Sequence, residues 1–90
     1  MQVSAKVLIE GRVQGVFFRS EIRREAQVRG LTGWVRNVDI YVEALLEGDR
    51  DKIEEVIEFC REGPIGSKVK NVNVEWNDFS GNFQNFEIRY

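Results

Sequence analysis

Gly11-Arg12-Val13-Gln14-Gly15-Val16-Phe17-Phe18-Arg19 is the stretch from which the rest of the chain is read. Before it, Val3, Ala5, Val7 and Ile9 alternate with Ser4, Lys6, Leu8 and Glu10, the period of a strand with one face inward. From Phe18 to Arg29 the residues are good helix formers. Phe18, Ile22 and Ala26 fall four apart on one narrow stripe, and Gly30 is placed as a C-terminal stop. The stretch is therefore a strand-to-helix junction carrying two glycines and an arginine. The first N–H groups of a helix lack intrahelical acceptors and sit at the positive end of its dipole. Glycines let the preceding backbone turn its own N–H groups toward the same point, making a concave anion nest. Arg19, about one turn into the helix, is placed to close that nest with a planar, permanently charged fork.

Working outward, Leu31 to Asn37 and Ile40 to Glu47 both read as strands, separated only by Val38 and Asp39, and should form a hairpin. Tight hairpin turns favour glycine or asparagine at positive φ, which Val38 disfavours, so either Asp39 carries the turn or the strand ends fray. Gly48-Asp49 opens a second helix, with Asp49 as its cap and Asp51 adding negative charge to the first turn. Ile53, Val56, Ile57 and Cys60 have the spacing of a buried stripe, and Gly63-Pro64 ends the helix. Val72, Val74 and Trp76 alternate in a fourth strand. Asn77 to Asn85 is a polar loop, and Phe86, Ile88 and Tyr90 alternate in a short last strand. The order βαββαβ with a terminal strand predicts an α+β, ferredoxin-like two-layer sandwich. Two helices lie on one face of a mainly antiparallel sheet with a short fifth strand.

Ninety residues fit one domain over 1–90 with a single modest core. A formal charge of -2 argues against nucleic acid as a partner, since neutralising phosphates needs a clustered basic surface. Cys60 is alone, so neither an internal disulfide nor a cysteine metal site is expected. No histidine occurs, which removes the commonest general base and the commonest transition-metal ligand together. No metal and no cofactor are expected. Without a signal-peptide pattern or an apolar run near ~18 residues, the expectation is a cytoplasmic monomer with no membrane partner.

The residue inventory narrows what an anion nest here can do. A nucleotide P-loop would end in Gly-Lys-Ser or Gly-Lys-Thr, but this stretch ends Phe-Phe-Arg-Ser, and G-x-G-x-x-G is absent. A thiol phosphatase would need a cysteine in the loop. Ser20 has no evident base to activate it, and Asp39 is the only acid near a strand end. What remains is attack by water on a phosphoryl group held by amides and an arginine, which a loose transition state tolerates if the leaving group is good. Acyl phosphates qualify, because the departing carboxylate needs no proton at neutral pH. Positioning the water calls for a fixed polar side chain facing the nest, and Asn37 offers both a donor and an acceptor.

With these residues assembled, Gly11 to Arg19 together with Gly30-Leu31-Thr32-Gly33-Trp34-Val35-Arg36-Asn37 resembles the two signature blocks of the acylphosphatase family. The similarity continues through Val42-Glu43, Glu47-Gly48, Gly63-Pro64, Val72, Val74-Glu75-Trp76 and Phe86-Glu87-Ile88. The resemblance implies a five-stranded ferredoxin-like fold and metal-free hydrolysis of the carboxyl-phosphate bond of small acyl phosphates, with inorganic phosphate as product or inhibitor. It implies that Arg19 binds the substrate phosphate with the loop amides of Gln14, Gly15, Val16, Phe17 and Phe18, and that Asn37 orients the attacking water. One departure stands out. The family usually carries an extra residue and an Asp-Gly turn after the asparagine, whereas here Asn37-Val38-Asp39-Ile40-Tyr41-Val42-Glu43 makes a shorter, glycine-free hairpin.

Other readings compete. Arg19 could be a surface ion-pair partner of Glu25, Phe17 and Phe18 read as core and loop-packing residues, and Trp34 reads as half-buried. Arg36, Lys68 and Lys70 read as solvated charges, and Cys60 as an inert core thiol. An RNA-recognition module on the same fold would need paired aromatics in a basic block on a central strand. Modules resembling this one in hydrogenase-maturation carbamoyltransferases belong to longer chains with zinc-binding regions. A degenerate family member would bind phosphate without turnover.

Overall fold

The computed structural model describes residues Met1–Tyr90. Its elements are β1 (Gln2–Arg12), α1 (Phe18–Val28), β2 (Thr32–Val38), β3 (Tyr41–Asp49), α2 (Arg50–Glu62), β4 (Lys68–Asp78) and β5 (Phe86–Arg89). The five strands form one sheet in the order β4-β1-β3-β2-β5. All neighbours are antiparallel except β2 and β5. This is the ferredoxin-like sandwich with a short fifth strand that the element order predicts.

Strand alternation decides which face is covered. Ala5, Val7 and Ile9 of β1, Val35 of β2, and Val42, Ala44 and Leu46 of β3 are buried against the helix stripes Phe18-Ile22-Ala26 and Ile53-Val56-Ile57-Cys60. α1 lies over β2 and β5, and α2 over β4, β1 and β3. Both helices are held at their ends by local chemistry. Past α1, Gly30 at φ 70 lets its own N–H reach Gln27 O at 3.1 Å while Leu31 N reaches Ala26 O at 3.0 Å, the paired bonds of a Schellman stop. At the start of α2 the Asp49 carboxylate accepts from Asp51 N at 3.0 Å, as the cap reading requires.

Several details differ from the sequence reading: Asn77 and Asp78, read as loop, belong to β4, and Tyr90, read as strand, lies past the end of β5. β1 runs on through Gly11 and Arg12, which pair with Val69 and Lys68 of β4 after a register shift at Glu10/Gly11. Gly11 sits at φ 133, where a Cβ would collide with the Lys68 carbonyl oxygen, so it serves a β-bulge and not the anion nest. The β2–β3 turn is Asp39-Ile40 and not Val38-Asp39: Val38 stays in the ladder opposite Tyr41, and Asp39 takes the left-handed position at φ 52. A short polar side chain tolerates that conformation and a β-branched one does not. Trp34 is buried, 9% exposed, and its ring carries the Arg36 and Arg89 guanidinium groups at 5.2 and 5.1 Å.

Candidate active site at the β1–α1 loop

β1 is the middle strand of the trio β4-β1-β3, so the loop that leaves it emerges between the ends of two other strands. On one side lies the β2–β3 hairpin, and on the other the α2–β4 loop. The loop is pinned at both ends by core side chains, Val13 and Phe18, each 1% exposed. Between them the backbone is lifted away from regular pairing. Gly15 has φ 76 with open space around it, so glycine is needed there for conformation and not for room. Phe17 is the N-cap of α1, at φ 61 and ψ 22, and makes no side-chain cap. An aromatic residue in the left-handed region costs on the order of 1–3 kcal/mol, and such strain concentrates at functional sites.

The consequence is a run of unsatisfied donors. Outside regular elements, backbone N–H groups donate to backbone acceptors only from Glu21, Arg29, Gly30, Leu31, Gly33, Arg50, Gly63 and Ser67. Side-chain oxygens receive backbone N–H groups from Asp51, Ser80, Gly81 and Asn82. The N–H groups from Gln14 to Ser20 therefore have no protein acceptor. Donors in sequence at a left-handed turn and a helix N-terminus form an anion cradle.

Arg19 follows on the first turn of α1. Arg24, Arg29, Arg36, Arg50, Arg61 and Arg89 each lie within 4.0 Å of a carboxylate. Arg12, Arg19 and Arg23 pair with none, and the guanidinium of Arg19 lies 5.2 Å from the centroid of the Tyr90 ring. The rival partner Glu25 is committed to Arg29 at 2.7 Å. Asn37 sits in β2 opposite Val42, exposed at the same end of the sheet. The parallel β2–β5 register ends on Arg36 and Arg89, one residue before Asn37 in β2 and one before Tyr90. Tyr90, one residue past the end of β5, carries Arg19 on its ring, a contact that periodicity gives no reason to expect.

Gln14 supplies the second connection that the sequence did not reveal. Its side-chain Nε2 donates to the carbonyls of Asp39 at 2.8 Å and Tyr41 at 2.9 Å. The shortened hairpin is therefore tied to the cradle loop by both amide hydrogens of one side chain. Nothing in composition or spacing could indicate this, because the partners are backbone carbonyls more than twenty positions away.

Phe18 is a core residue as expected, 6.1 Å from the Phe59 ring in an edge-to-face pair, but Phe17 is 81% exposed and packs nothing away. Cys60 is fully buried, and burial pushes its thiol up to about 12, so no thiolate forms at neutral pH. Arg36 is not merely solvated: it pairs with Glu43 at 2.8 Å as well as stacking on Trp34. No cluster of three or more aspartates, glutamates or cysteines is arranged to hold a metal. No helix is long and apolar enough to cross a membrane.

This geometry agrees with what the chain is similar to. The acylphosphatase family model matches residues 5–88. An acylphosphatase of Pelotomaculum thermopropionicum is 47% identical over 87 residues, covering 96% of this chain and 95% of the relative. The acylphosphatase structure from Coxiella burnetii superposes with a TM-score of 0.92 at 38% identity, over 98% of this chain and 93% of its own. That from Bacillus subtilis gives 0.93 at 35% identity, with complete coverage of both chains. The match takes in the cradle loop, the β2–β3 hairpin and β5 up to Ile88, and on that extent this chain belongs to the acylphosphatase family.

Proposed function

We propose that this chain hydrolyses the carboxyl-phosphate bond of small acyl phosphates, giving a carboxylate and inorganic phosphate. The observation that carries the reading is the run of acceptor-free N–H groups from Gln14 to Ser20 beside the unpaired guanidinium of Arg19. The amides of Gln14 to Phe18 and Arg19 hold the three outer phosphoryl oxygens, where charge concentrates as the bond to the leaving oxygen lengthens. Asn37 accepts a hydrogen bond from the attacking water and aims its lone pair at phosphorus. The water oxygen bonds to phosphorus as the phosphorus–carboxyl oxygen bond breaks. The bonding pair leaves with the carboxylate, and the water proton passes to the product phosphate or to solvent.

The chemistry demands little of the protein beyond this. A carboxylate is stable unprotonated at neutral pH, so no general acid is needed. The side chains at the cradle, Gln14, Arg19 and Asn37, include no general base, and the chain holds no histidine. The residues that remain are suited to position and charge stabilisation. The RNA-recognition alternative is less well supported: on the helix-free face the central strands β1 and β3 carry Lys6, Leu8, Glu43 and Leu45, with no aromatic pair.

The test is hydrolysis of benzoyl phosphate followed with and without a strong chelator. Turnover that is unchanged by the chelator and inhibited competitively by inorganic phosphate is expected. Phosphate binding without turnover would identify a degenerate family member, and activity abolished by the chelator would remove the metal-free mechanism.

A further inference from the structure

Two of the most exposed large apolar side chains stand at the same place. Phe17 is 81% exposed and Ile65 is 100% exposed, and both line an open cleft of ≈ 480 Å³ with Val16, Glu21, Gly63 and Pro64. The cleft adjoins the cradle directly, since Val16 and Phe17 belong to the loop itself. The α2–β4 loop leans on it: a Cβ built on Gly66 would meet Val16 Cγ1 at 3.7 Å. Ile65 is presented and not merely loose. Ser67 closes the turn around it by donating its N–H to Pro64 O at 3.1 Å and its hydroxyl to the same oxygen at 2.6 Å. Neither Phe17 nor Ile65 contributes to the core, and Phe17 keeps its ring there in a left-handed conformation that glycine or asparagine would adopt more easily.

The position of the cleft relative to Asn37 gives it a meaning. β1 lies between β3 and β4. The hairpin bearing Asn37 is tied to the β3 side of the loop through Gln14, and the cleft lies on the β4 side against Val16. In phosphoryl transfer the attacking and leaving oxygens are roughly in line. With water delivered from the hairpin, the leaving carboxylate departs on the other side, toward Phe17 and Ile65. We infer that the cleft formed by Val16, Phe17, Pro64 and Ile65 receives the apolar acyl group of the substrate. It thereby sets a preference for aromatic or branched acyl phosphates over acetyl phosphate. This rests on the acyl phosphate reading of the cradle and adds which acyl class it favours.

A second cleft of ≈ 480 Å³, lined by Lys6, Leu8, Glu43, Asn73, Val74 and Glu75, touches no loop residue and presents two carboxylates, so it suits no anionic substrate.

The test compares benzoyl with acetyl phosphate in the parent, in Ile65→Ser and in Phe17→Asn, the last chosen because asparagine keeps the left-handed N-cap. The expected result is a benzoyl-to-acetyl ratio of kcat/KM that falls about five- to tenfold in each variant, the size of effect a small apolar contact can exert. The inhibition constant of inorganic phosphate, which has no acyl group, should move less than that ratio. An unchanged ratio overturns the inference and leaves the hydrolase reading standing, as does an equal loss on both substrates. A shift in sedimentation with the ratio unchanged assigns the patch to a second copy of the chain and also overturns it. A parent inactive on both substrates removes the hydrolase reading and this inference with it.

Discussion

Arg19 and Asn37 stand at the same end of the sheet but are asked to do different things. In the mechanism proposed above, Arg19 is the fixed charge beside the cradle and acts on the phosphoryl group in the ground state and more strongly as charge develops. Arg19→Gln is expected to weaken inhibition by inorganic phosphate and to lower kcat/KM by about a hundredfold or more. Phosphate inhibition equal to the parent's would count against this role. In the same proposal Asn37 meets only the water, so Asn37→Ala should leave phosphate inhibition within about threefold while kcat drops about a hundredfold, the scale of a misplaced reactant. Single-turnover rates beside phosphate titrations separate the two. The types and spacing of both residues are legible in the sequence. The contact of Arg19 with the Tyr90 ring is not, because β5 reaches that end of the sheet only through its parallel pairing with β2.

At the scale of elements, the closure of the glycine-free β2–β3 hairpin has two parts. Asp39 takes the left-handed residue of the turn, and the Gln14 amide bridges Asp39 O and Tyr41 O. Each bond to a carbonyl contributes about 1 kcal/mol at most, with the more exposed one contributing less. Gln14→Leu is therefore expected to cost about 1 kcal/mol in urea unfolding and to lower kcat about tenfold, with a smaller change in the phosphate inhibition constant. A parallel loss of both constants would mean that the side chain shapes the cradle and not the hairpin. Hydrogen exchange at the hairpin amides should quicken in the same variant.

Across the whole molecule, the second site of tertiary interest lies far from the cradle. Glu47 is 2% exposed in β3, yet it stays charged by gathering the loop after β4. It accepts from Ser80 N at 3.1 Å, Ser80 Oγ at 2.8 Å and Gly81 N at 3.1 Å. Burial pushes its carboxyl upward, but the hydrogen bonds from Ser80, Ser4 and Gly81 together outweigh it and hold the group below the ordinary carboxylate value of 4.5. A depressed folded-state value means that the contribution is fully present above the unfolded value, and is lost as pH falls through the folded one. Unfolding free energy should decline with acidification from about pH 5 downward. Glu47→Gln should flatten that slope, and Glu47→Ala should cost about 2–3 kcal/mol at neutral pH by stranding its donors. Denaturant titrations between pH 3 and 7 check all three; a slope identical in Glu47→Gln would assign the acid sensitivity elsewhere.

Strand and helix periods, the glycine stops and the Asp49 cap are local physics, and so the element order, the buried stripes and the strand-to-helix cradle were determined by the sequence itself. The elimination of P-loop and thiol chemistry was equally local, since it depends on which residue types are present. Four things waited for the tertiary structure: Gly11 as a bulge against β4, Trp34 buried between two arginines, Gln14 as the tie to the hairpin, and Phe17 turned outward over a cleft shared with Ile65. Each depends on a partner distant in sequence, brought near only when β1 is inserted between β3 and β4 and β5 closes beside β2. Periodicity can say which face a side chain occupies, but long-range strand pairing decides what it faces.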